Sequence, residues 1–261
     1  MTGTVYLVGA GPGAPDLLTL RAARLLGDAD IVFHDALVHP ETIALAARAE
    51  KIAVGKRCGR LSTAQQFINK RLVDSAHKHR IVVRLKGGDP MLFGRAQEEL
   101  SALEAAGIQC EVVPGVTAAL AAAAAVRTSL TQRGSARSVA FATPRVGAGE
   151  NTSAWADGLK AADAGAIYMG VGEAANIAAT LIDAGKPRTL PVAIVENASL
   201  PDQCIRYTTL AALPQLAAAS IKGPALMLIG SQFAPRDTLA DDRTPDARVE
   251  RCRDFARSAA G

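Results

Sequence analysis

Along the chain, short β-branched runs alternate with longer stretches in which apolar residues recur at helical spacing. Val5–Val8, Ile31–Phe33, Ile81–Leu85, Glu111–Val113, Ser138–Ala142, Ala166–Met169, Val192–Val195 and Ala225–Ile229 predict strands. Leu17–Leu26, Ala64–Ala76, Gln97–Ala106, Ala174–Ala184 and Thr209–Leu216 predict helices. Strands separated by amphipathic helices imply α/β units whose sheets are at least partly parallel. Ala118–Ala125 is almost pure alanine, a composition that lets a helix approach its neighbour closely and predicts a helix packed between domains. Gly147–Thr152 reads as a surface loop. After Gly230 the periodicity fails and charges mix from Arg236 to Arg257, which predicts a solvated tail rather than a site. Pro114-Gly115 marks the domain break, so the expected division is 1–114, 115–235 and a charged tail over 236–261.

Composition narrows the class. With 49% hydrophobic and 21% charged residues in 261, the chain is a folded globular protein. Its longest apolar run, Ala118–Val126, has nine residues, against about 20 for a bilayer span. The opening Val5–Ala10 reads as a strand running into glycines, not as a basic segment ahead of an apolar one. The expected location is therefore cytoplasmic, without a membrane partner. A net charge of +4 with six Phe, three Tyr and one Trp supplies few stacking platforms and argues against nucleic acid. The four cysteines, Cys58, Cys110, Cys204 and Cys252, lack C-x-x-C spacing, so they read as thiols, with neither a metal site nor a disulfide framework.

Two glycine-rich loops follow predicted strands. The first, Gly9-Ala10-Gly11-Pro12-Gly13-Ala14-Pro15-Asp16, fits G-x-G-x-x-A, with Asp30 or Asp35 about 20 residues on. Pro12 and Pro15 withdraw two N–H donors that a diphosphate would use, which weighs against a nicotinamide dinucleotide. The second is Lys86-Gly87-Gly88-Asp89-Pro90-Met91-Leu92-Phe93-Gly94-Arg95. Taken alone it reads equally as a turn ended by Asp-Pro; two such loops together, without a phosphate-binding lysine loop, point to a cofactor crevice. His34-Asp35 and Val54-Gly55-Lys56-Arg57 add an acid and an amine at strand ends, which read either as an acid–base pair or as a surface ion pair.

In this order the motifs resemble the tetrapyrrole methylases. The resemblance is carried by Val5–Gly13, Leu17–Leu20, Val54–Arg57, Val83–Pro90, Val112–Ala118, Tyr168–Gly170, Pro191–Asn197 and Pro224–Gly230, covering about residues 4–232. Val-Arg-Leu-Lys-Gly-Gly-Asp-Pro and Val-Gly-Lys-Arg look most like the uroporphyrinogen-III C-methyltransferases. The resemblance implies two α/β domains with a cofactor cleft between them, in a homodimer. It implies S-adenosylmethionine as methyl donor, S-adenosylhomocysteine as product, and a small-molecule tetrapyrrole as substrate. The implied reaction methylates uroporphyrinogen III twice to give precorrin-2, for sirohaem or cobalamin.

By motif position, Pro12, Gly87, Gly88, Asp89, Leu92, Thr117, Ala118, Met169 and Ala198 fall where the family contacts the cofactor. Asp35 takes the family's proposed base position and Lys56 its proposed acid position. Arg57, Arg84, Arg95, Arg127 and Arg133 are candidate clamps for substrate carboxylates, with a solvated charge or a structural ion pair as the alternative for each. The chain departs from the family pattern at Ala14, His34, Met91-Leu92, Leu120–Val126, Gln132, Thr143-Pro144-Arg145 and Ala198. These departures gather in the second half, so they bear on substrate identity more than on reaction type. A methylase of a later corrin precursor and a cofactor-binding regulatory paralogue without turnover are the alternatives; a nicotinamide oxidoreductase comes last.

Overall fold

The computed structural model describes residues 2–54, 61–146, 154–235 and 250–252, which form two compact units, Met1–Ala118 and Ala119–Gly261. In the first unit, β1 (Thr4–Gly9), β2 (Ile31–His34), β3 (Glu50–Ala53), β4 (Ile81–Lys86) and β5 (Cys110–Val113) form a sheet in the order β3-β2-β4-β1-β5. Every pairing in it is parallel. Parallel neighbours need crossover connections, and α1 (Leu20–Asp28), α2 (Pro40–Ala44), α3 (Leu61–Ala76) and α4 (Ala96–Ala105) provide them. Local chemistry sets the helix starts. The Thr19 side chain accepts from the Ala22 amide at 3.1 Å, and Pro40 occupies the first turn of α2.

Period-two alternation distributes each strand between two cores. Val5, Leu7, Ile31, Phe33 and Val82 pack with Leu72 of α3 and Leu103 of α4. Val8, Val32, Val83 and Leu85 pack with Ala22 and Leu26 of α1 on the opposite face. Because all five strands run the same way, the segments after β1, β2, β4 and β5 emerge at one edge of the sheet, where ligands bind in open α/β sheets.

The second unit is mixed. It contains α5 (Ala118–Ala125), β6 (Val139–Ala142), α6 (Trp155–Ala161), β7 (Ala164–Ile167), α7 (Ala174–Asp183), β8 (Pro191–Glu196), β9 (Cys204–Thr209), α8 (Leu213–Ser220), β10 (Ala225–Ile229) and β11 (Glu250–Cys252). The strand order is β11-β9-β8-β10-β7-β6, with only β6 and β7 paired in parallel. Ile167, Ile177, Leu181, Ile194, Leu213 and Met227 lie at the centre of its core. In α5, Ala119, Ala121, Ala122 and Ala123 are buried, whereas Leu120 is 53% exposed. Among the described residues no helix is long and apolar enough to cross a membrane.

Several elements differ from the sequence-based expectation. The strand expected over Ala166–Met169 occupies Ala164–Ile167 and takes in Gly165, which weakens a sequence-based strand signal. The helix expected over Thr209–Leu216 is a strand to Thr209 and a helix from Leu213, where Pro214 sits in the first turn. The exposed strand β3, the largely buried strand β9 and the helices α2 and α6 have no distinct periodicity. Within the stretch expected to be solvated tail, Glu250–Cys252 instead pairs antiparallel with β9. Cys204, expected to be a thiol, is disulfide-bonded. Cys110 is a free thiol, its pKa pushed up to about 11 by burial.

At the end of β8, Glu196 accepts from the Lys222 and Gly223 amides at 2.9 and 2.6 Å and from Arg206 Nη1 at 2.7 Å. Burial by itself raises its pKa, but the Gly223 and Lys222 amides and the Arg206 guanidinium outweigh that and hold it below the ordinary glutamate value of 4.5. A carboxylate depressed in the folded state stabilises above its unfolded pKa, and the contribution disappears as pH falls through the folded value. The thermal midpoint is therefore expected to fall as pH drops below about 4.5. Glu196→Gln should unfold earlier at neutral pH and show a shallower acid decline. Parallel curves for the two proteins in calorimetric scans would contradict this assignment.

Candidate cofactor and substrate site

Three glycines from three adjacent parallel strands meet at the carboxyl edge of the first sheet. A Cβ on Gly9, the last residue of β1, falls 2.6 Å from the Gly115 backbone and 2.8 Å from the Gly88 carbonyl oxygen. A Cβ on Gly115 falls within van der Waals exclusion of that same oxygen and 2.8 Å from the Gly9 Cα. Backbone therefore packs on backbone, which only glycine permits. Gly11 and Gly88 join the two glycine-rich loops by reciprocal amide–carbonyl hydrogen bonds of 3.2 and 2.7 Å. Both lie in the left-handed region, at φ +72° and +69°. Pro12, half-buried, lies on the first loop between Gly11 and Gly13.

Asp89 ties the second loop to the third. Its Oδ1 accepts from the Met91 amide at 2.8 Å and its Oδ2 from the Gly115 amide at 2.9 Å. Leu92 is half-buried, while Met91 and Phe93 are exposed. Phe93 and Arg95 both take positive φ, so the turn from Asp89 to Arg95 is held in a conformation that costs non-glycine residues about 1–2 kcal/mol each. Thr117 and Ala118 are half-buried after β5, and a Cβ on Gly88 comes 4.0 Å from the Thr117 Cα.

Asp35, half-buried after β2, faces the same turn. Its Oδ2 accepts from the Gly87 amide at 3.2 Å, and its Oδ1 accepts from the Leu37 amide at 2.9 Å. Gly87 must lack a side chain here, since a Cβ would lie 2.9 Å from Leu37 Cβ. Leu37 is 63% exposed beside the carboxylate. Asp35, Gly87, Gly88 and Asp89 are thus brought together, as are Pro12, Leu92, Thr117 and Ala118 on the loops of the same edge. Lys56 and Arg57 lie outside the described residues.

In the second unit, Met169 follows β7 at φ +55° and is 44% exposed. Its neighbour Tyr168 accepts from the Ala119 amide at 3.1 Å through its hydroxyl, at the start of α5. Ala198 is buried between Asn197 and Ser199, at φ +50° and +72°. Two consecutive-but-one non-glycine residues at positive φ mark a strained turn after β8, a feature that clusters at functional sites.

The arginines separate by environment. Arg84 is not a substrate clamp: its side chain is 5% exposed and its Nε donates to Glu99 Oε1 at 3.1 Å inside the first unit. Period-two alternation explains this, because Arg84 shares the α4-facing side of β4 with Val82. Arg95 forms an exposed bidentate pair with Glu98 at 2.6 and 2.7 Å. Arg127, at φ +53°, lines an open groove of about 480 Å³ with Leu120, Thr128, Leu130 and Phe141; Arg133 is exposed. Asp30 is also settled: its Oδ2 accepts from the Arg80 and Ile81 amides at 2.9 and 2.8 Å, a strand-joining role that removes it as the acid of a dinucleotide fingerprint. Glu99 and Gln65 escaped the sequence reading. Only the run Val82-Arg84-Lys86 signalled them, since two cations on a core-facing side require a buried acid.

The donor set suits a nucleoside carrying a sulfonium. Gly9, Gly88 and Gly115 form a neutral backbone cradle, closed to a Cβ at Gly9 and Gly115, with carbonyl groups and the two carboxylates Asp35 and Asp89 beside it; among the described residues it lacks the clustered cations that a diphosphate requires. Among the described residues no group of three or more His, Cys, Asp or Glu is placed to hold a metal ion.

Residues 4–214 match the family model of the Tetrapyrrole (Corrin/Porphyrin) Methylases. A siroheme synthase of Psychrobacter cryohalolentis is 43% identical over 240 residues, 91% of this chain and 46% of that protein. One of Sodalis glossinidius is 46% identical over 233 residues, 89% and 49% of the two chains. This chain spans about half the length of the siroheme synthases it matches. Among solved structures, the native uroporphyrin III C-methyl transferase from Thermus thermophilus superposes with a TM-score of 0.79 at 37% identity, covering 92% of this chain and 98% of that one. The Thermus enzyme complexed with S-adenyl homocysteine gives 0.76 at 38% identity, over 87% and 97%. Motif order, the all-parallel first sheet with its glycine-lined edge, and these matches agree: the chain belongs to the tetrapyrrole methylase family.

Proposed function

We propose that this protein methylates uroporphyrinogen III twice, with S-adenosylmethionine as donor, to give precorrin-2 for sirohaem or cobalamin. Membership of the tetrapyrrole methylase family supports methyl transfer from S-adenosylmethionine to a tetrapyrrole; the identity of the tetrapyrrole and the number of methyl groups are the finer part of the proposal. The observation that carries the reading is the convergence of Asp35 on the Gly87-Gly88 turn, 3.2 Å from carboxylate to amide, beside the glycine cradle. It is supported by the match to the Thermus uroporphyrin III C-methyl transferase over 92% of this chain and 98% of that one.

When bound, the donor supplies an activated methyl group. Pro12, Gly87, Gly88, Asp89, Leu92, Thr117 and Ala118 are proposed to hold it along the first unit's edge. Met169 and Ala198 are proposed as further contacts on their motif positions. A macrocycle carbon takes the methyl group and the sulfonium leaves as a neutral thioether. The macrocycle must then lose a proton, and Asp35 is proposed to receive it. Lys56 is proposed as the acid. The protein's main contribution is alignment, which supplies roughly 7–11 kcal/mol in well-oriented reactions. A second reading, action on a later corrin precursor, is favoured by the 30% identity to a cobalt precorrin-4 methyltransferase of TM-score 0.76, covering 89% of this chain and 96% of that one.

Anaerobic incubation with S-adenosylmethionine and uroporphyrinogen III, read by mass spectrometry, is expected to show two added methyl groups. None added, in a preparation that binds the donor, rejects the substrate and directs the assay to later precursors, with loss of catalysis as the remaining explanation. Asp35→Ala should lower kcat by about 10²-fold or more with donor affinity retained; equal losses in both remove the base assignment. Lys56→Ala should likewise slow turnover with donor binding nearly intact, and unchanged turnover removes it from the mechanism. Gly115→Ala should weaken donor binding at least tenfold, about 1.4 kcal/mol, because its Cβ displaces the Gly88 carbonyl; calorimetric titration showing wild-type affinity would contradict the cradle. A cytoplasmic homodimer completes the proposal, and sedimentation at the mass of one 27.0 kDa chain would exclude the dimer.

A further inference from the structure

Beneath the site lies a buried charge cluster that the reaction described above does not use. Alternation along β4 sends Arg84 and Lys86 to the face that carries Val82, under α4, with both side chains 5% exposed. Glu99 of α4 is fully buried and meets both: Arg84 Nε donates to Oε1 at 3.1 Å and Lys86 Nζ donates to Oε2 at 2.9 Å. Gln65 Nε2 of α3 donates to the same Oε1 at 3.2 Å. Arg84 Nη1 is further occupied by the Leu85 carbonyl at 3.1 Å.

Two cations against one carboxylate leave a surplus positive charge. Among the described residues the charged groups that act on Lys86 are Arg84 from its own strand, Glu99 from α4, and Asp35 from the segment after β2. Asp35 is the weakest of these influences on Lys86, and its geometric link to the lysine is through the neighbouring residue, Gly87. Lys86 also supports the turn that follows it: a Cβ on Gly94 would lie 3.1 Å from Lys86 Cε, so the lysine stem runs under the far end of that turn. The amide next to Lys86, that of Gly87, is the one donating to Asp35.

We propose that Glu99 is a positioning residue for methyl transfer: through Lys86 it keeps the Asp35 carboxylate and the Gly87–Gly94 turn in register. The proposal rests on the reading of Asp35 and this turn as base and donor site. Its electrostatics agree. Burial, then the like charge of Arg84, pull the Lys86 pKa below the usual 10.5, while the charge and hydrogen bond of Glu99, and then the charge of Asp35, oppose them. Without Glu99 the two strongest opposing contributions vanish, so Lys86 loses its proton at lower pH, and its support of the turn whose Gly87 amide holds Asp35 weakens.

The test compares Glu99→Gln, the double variant Glu99→Gln with Lys86→Arg, and the charge-free triple variant Arg84→Met, Lys86→Met, Glu99→Met. Turnover, donor affinity and thermal midpoint are measured from neutral to alkaline pH. Glu99→Gln is expected to lose at least tenfold in kcat and to show its alkaline loss at lower pH than the wild type. Adding Lys86→Arg should abolish that early alkaline loss, since a guanidinium does not titrate in this range. The triple variant should recover thermal stability, because a buried ion cluster is replaceable by apolar residues of similar volume, yet stay slow. Recovery of both stability and kcat in the triple variant overturns the proposal, and so does a Glu99→Gln pH profile equal to wild type. Where Glu99→Gln does not fold, the triple variant decides alone. If the wild type methylates no tetrapyrrole, the functional reading fails separately. The cluster is then judged by donor affinity, which Glu99→Gln weakens with an early alkaline loss if Lys86 holds the turn and leaves unchanged if it does not.

Discussion

Backbone packed on backbone at the carboxyl ends of β4, β1 and β5 is the constraint on which the first unit's site depends. Gly88, Gly9 and Gly115 approach so closely that no Cβ fits at Gly9 or Gly115, and this closeness lets three loops share one small volume. The Gly11–Gly88 amide pair and the Asp89 bond to the Gly115 amide then lock the loops to one another. A parallel sheet makes the arrangement possible, because it delivers every strand's carboxyl end to the same edge. An antiparallel neighbour in place of β4 or β5 would send one of the loops to the other end.

The same sheet places charge beneath the backbone cradle. Arg84 and Lys86 face α4 because they are two and four residues beyond Val82, whose side chain must lie in the core. Stranding them there would be costly without a carboxylate, and Glu99 supplies it from a helix that begins just past the turn. Structure and site chemistry are thereby coupled through β4: its apolar residues hold the sheet, its cations hold α4, and its last residues lead into Gly87 and Gly88. The second unit uses a comparable device at the end of β8, where Glu196 gathers two amides and Arg206.

Much of this was legible without coordinates. The five main helices and eight strands named from periodicity all have counterparts, because long amphipathic runs and β-branched runs carry their own signal. The glycine-rich loops were legible because glycine and Asp-Pro after a strand admit few conformations. Strands β3 and β11 were not, since edge strands lack a strong alternating pattern and take their identity from the neighbour they pair with, and β9 was not, because its Cys-Ile-Arg-Tyr-Thr-Thr run does not alternate. Arg84 stayed open between substrate clamp and structural ion pair for a related reason. An arginine's role depends on which face of the strand it occupies and on what packs there.

The sequence by itself determined the α/β class, the order of motifs that identifies the family, and the residues able to form a phosphate-free cradle. These depend on local periodicity and on the conformational range of single residues. Only the tertiary structure decided that Gly9, Gly88 and Gly115 are mutual neighbours, that Asp35 bonds the Gly87 amide, and that Glu99 binds Arg84 and Lys86 together. Those contacts join residues from 13 to more than 100 positions apart, and strand order β3-β2-β4-β1-β5 brings them together. Strand order is set by how all five strands share two cores, a property of the packed whole that no local pattern contains.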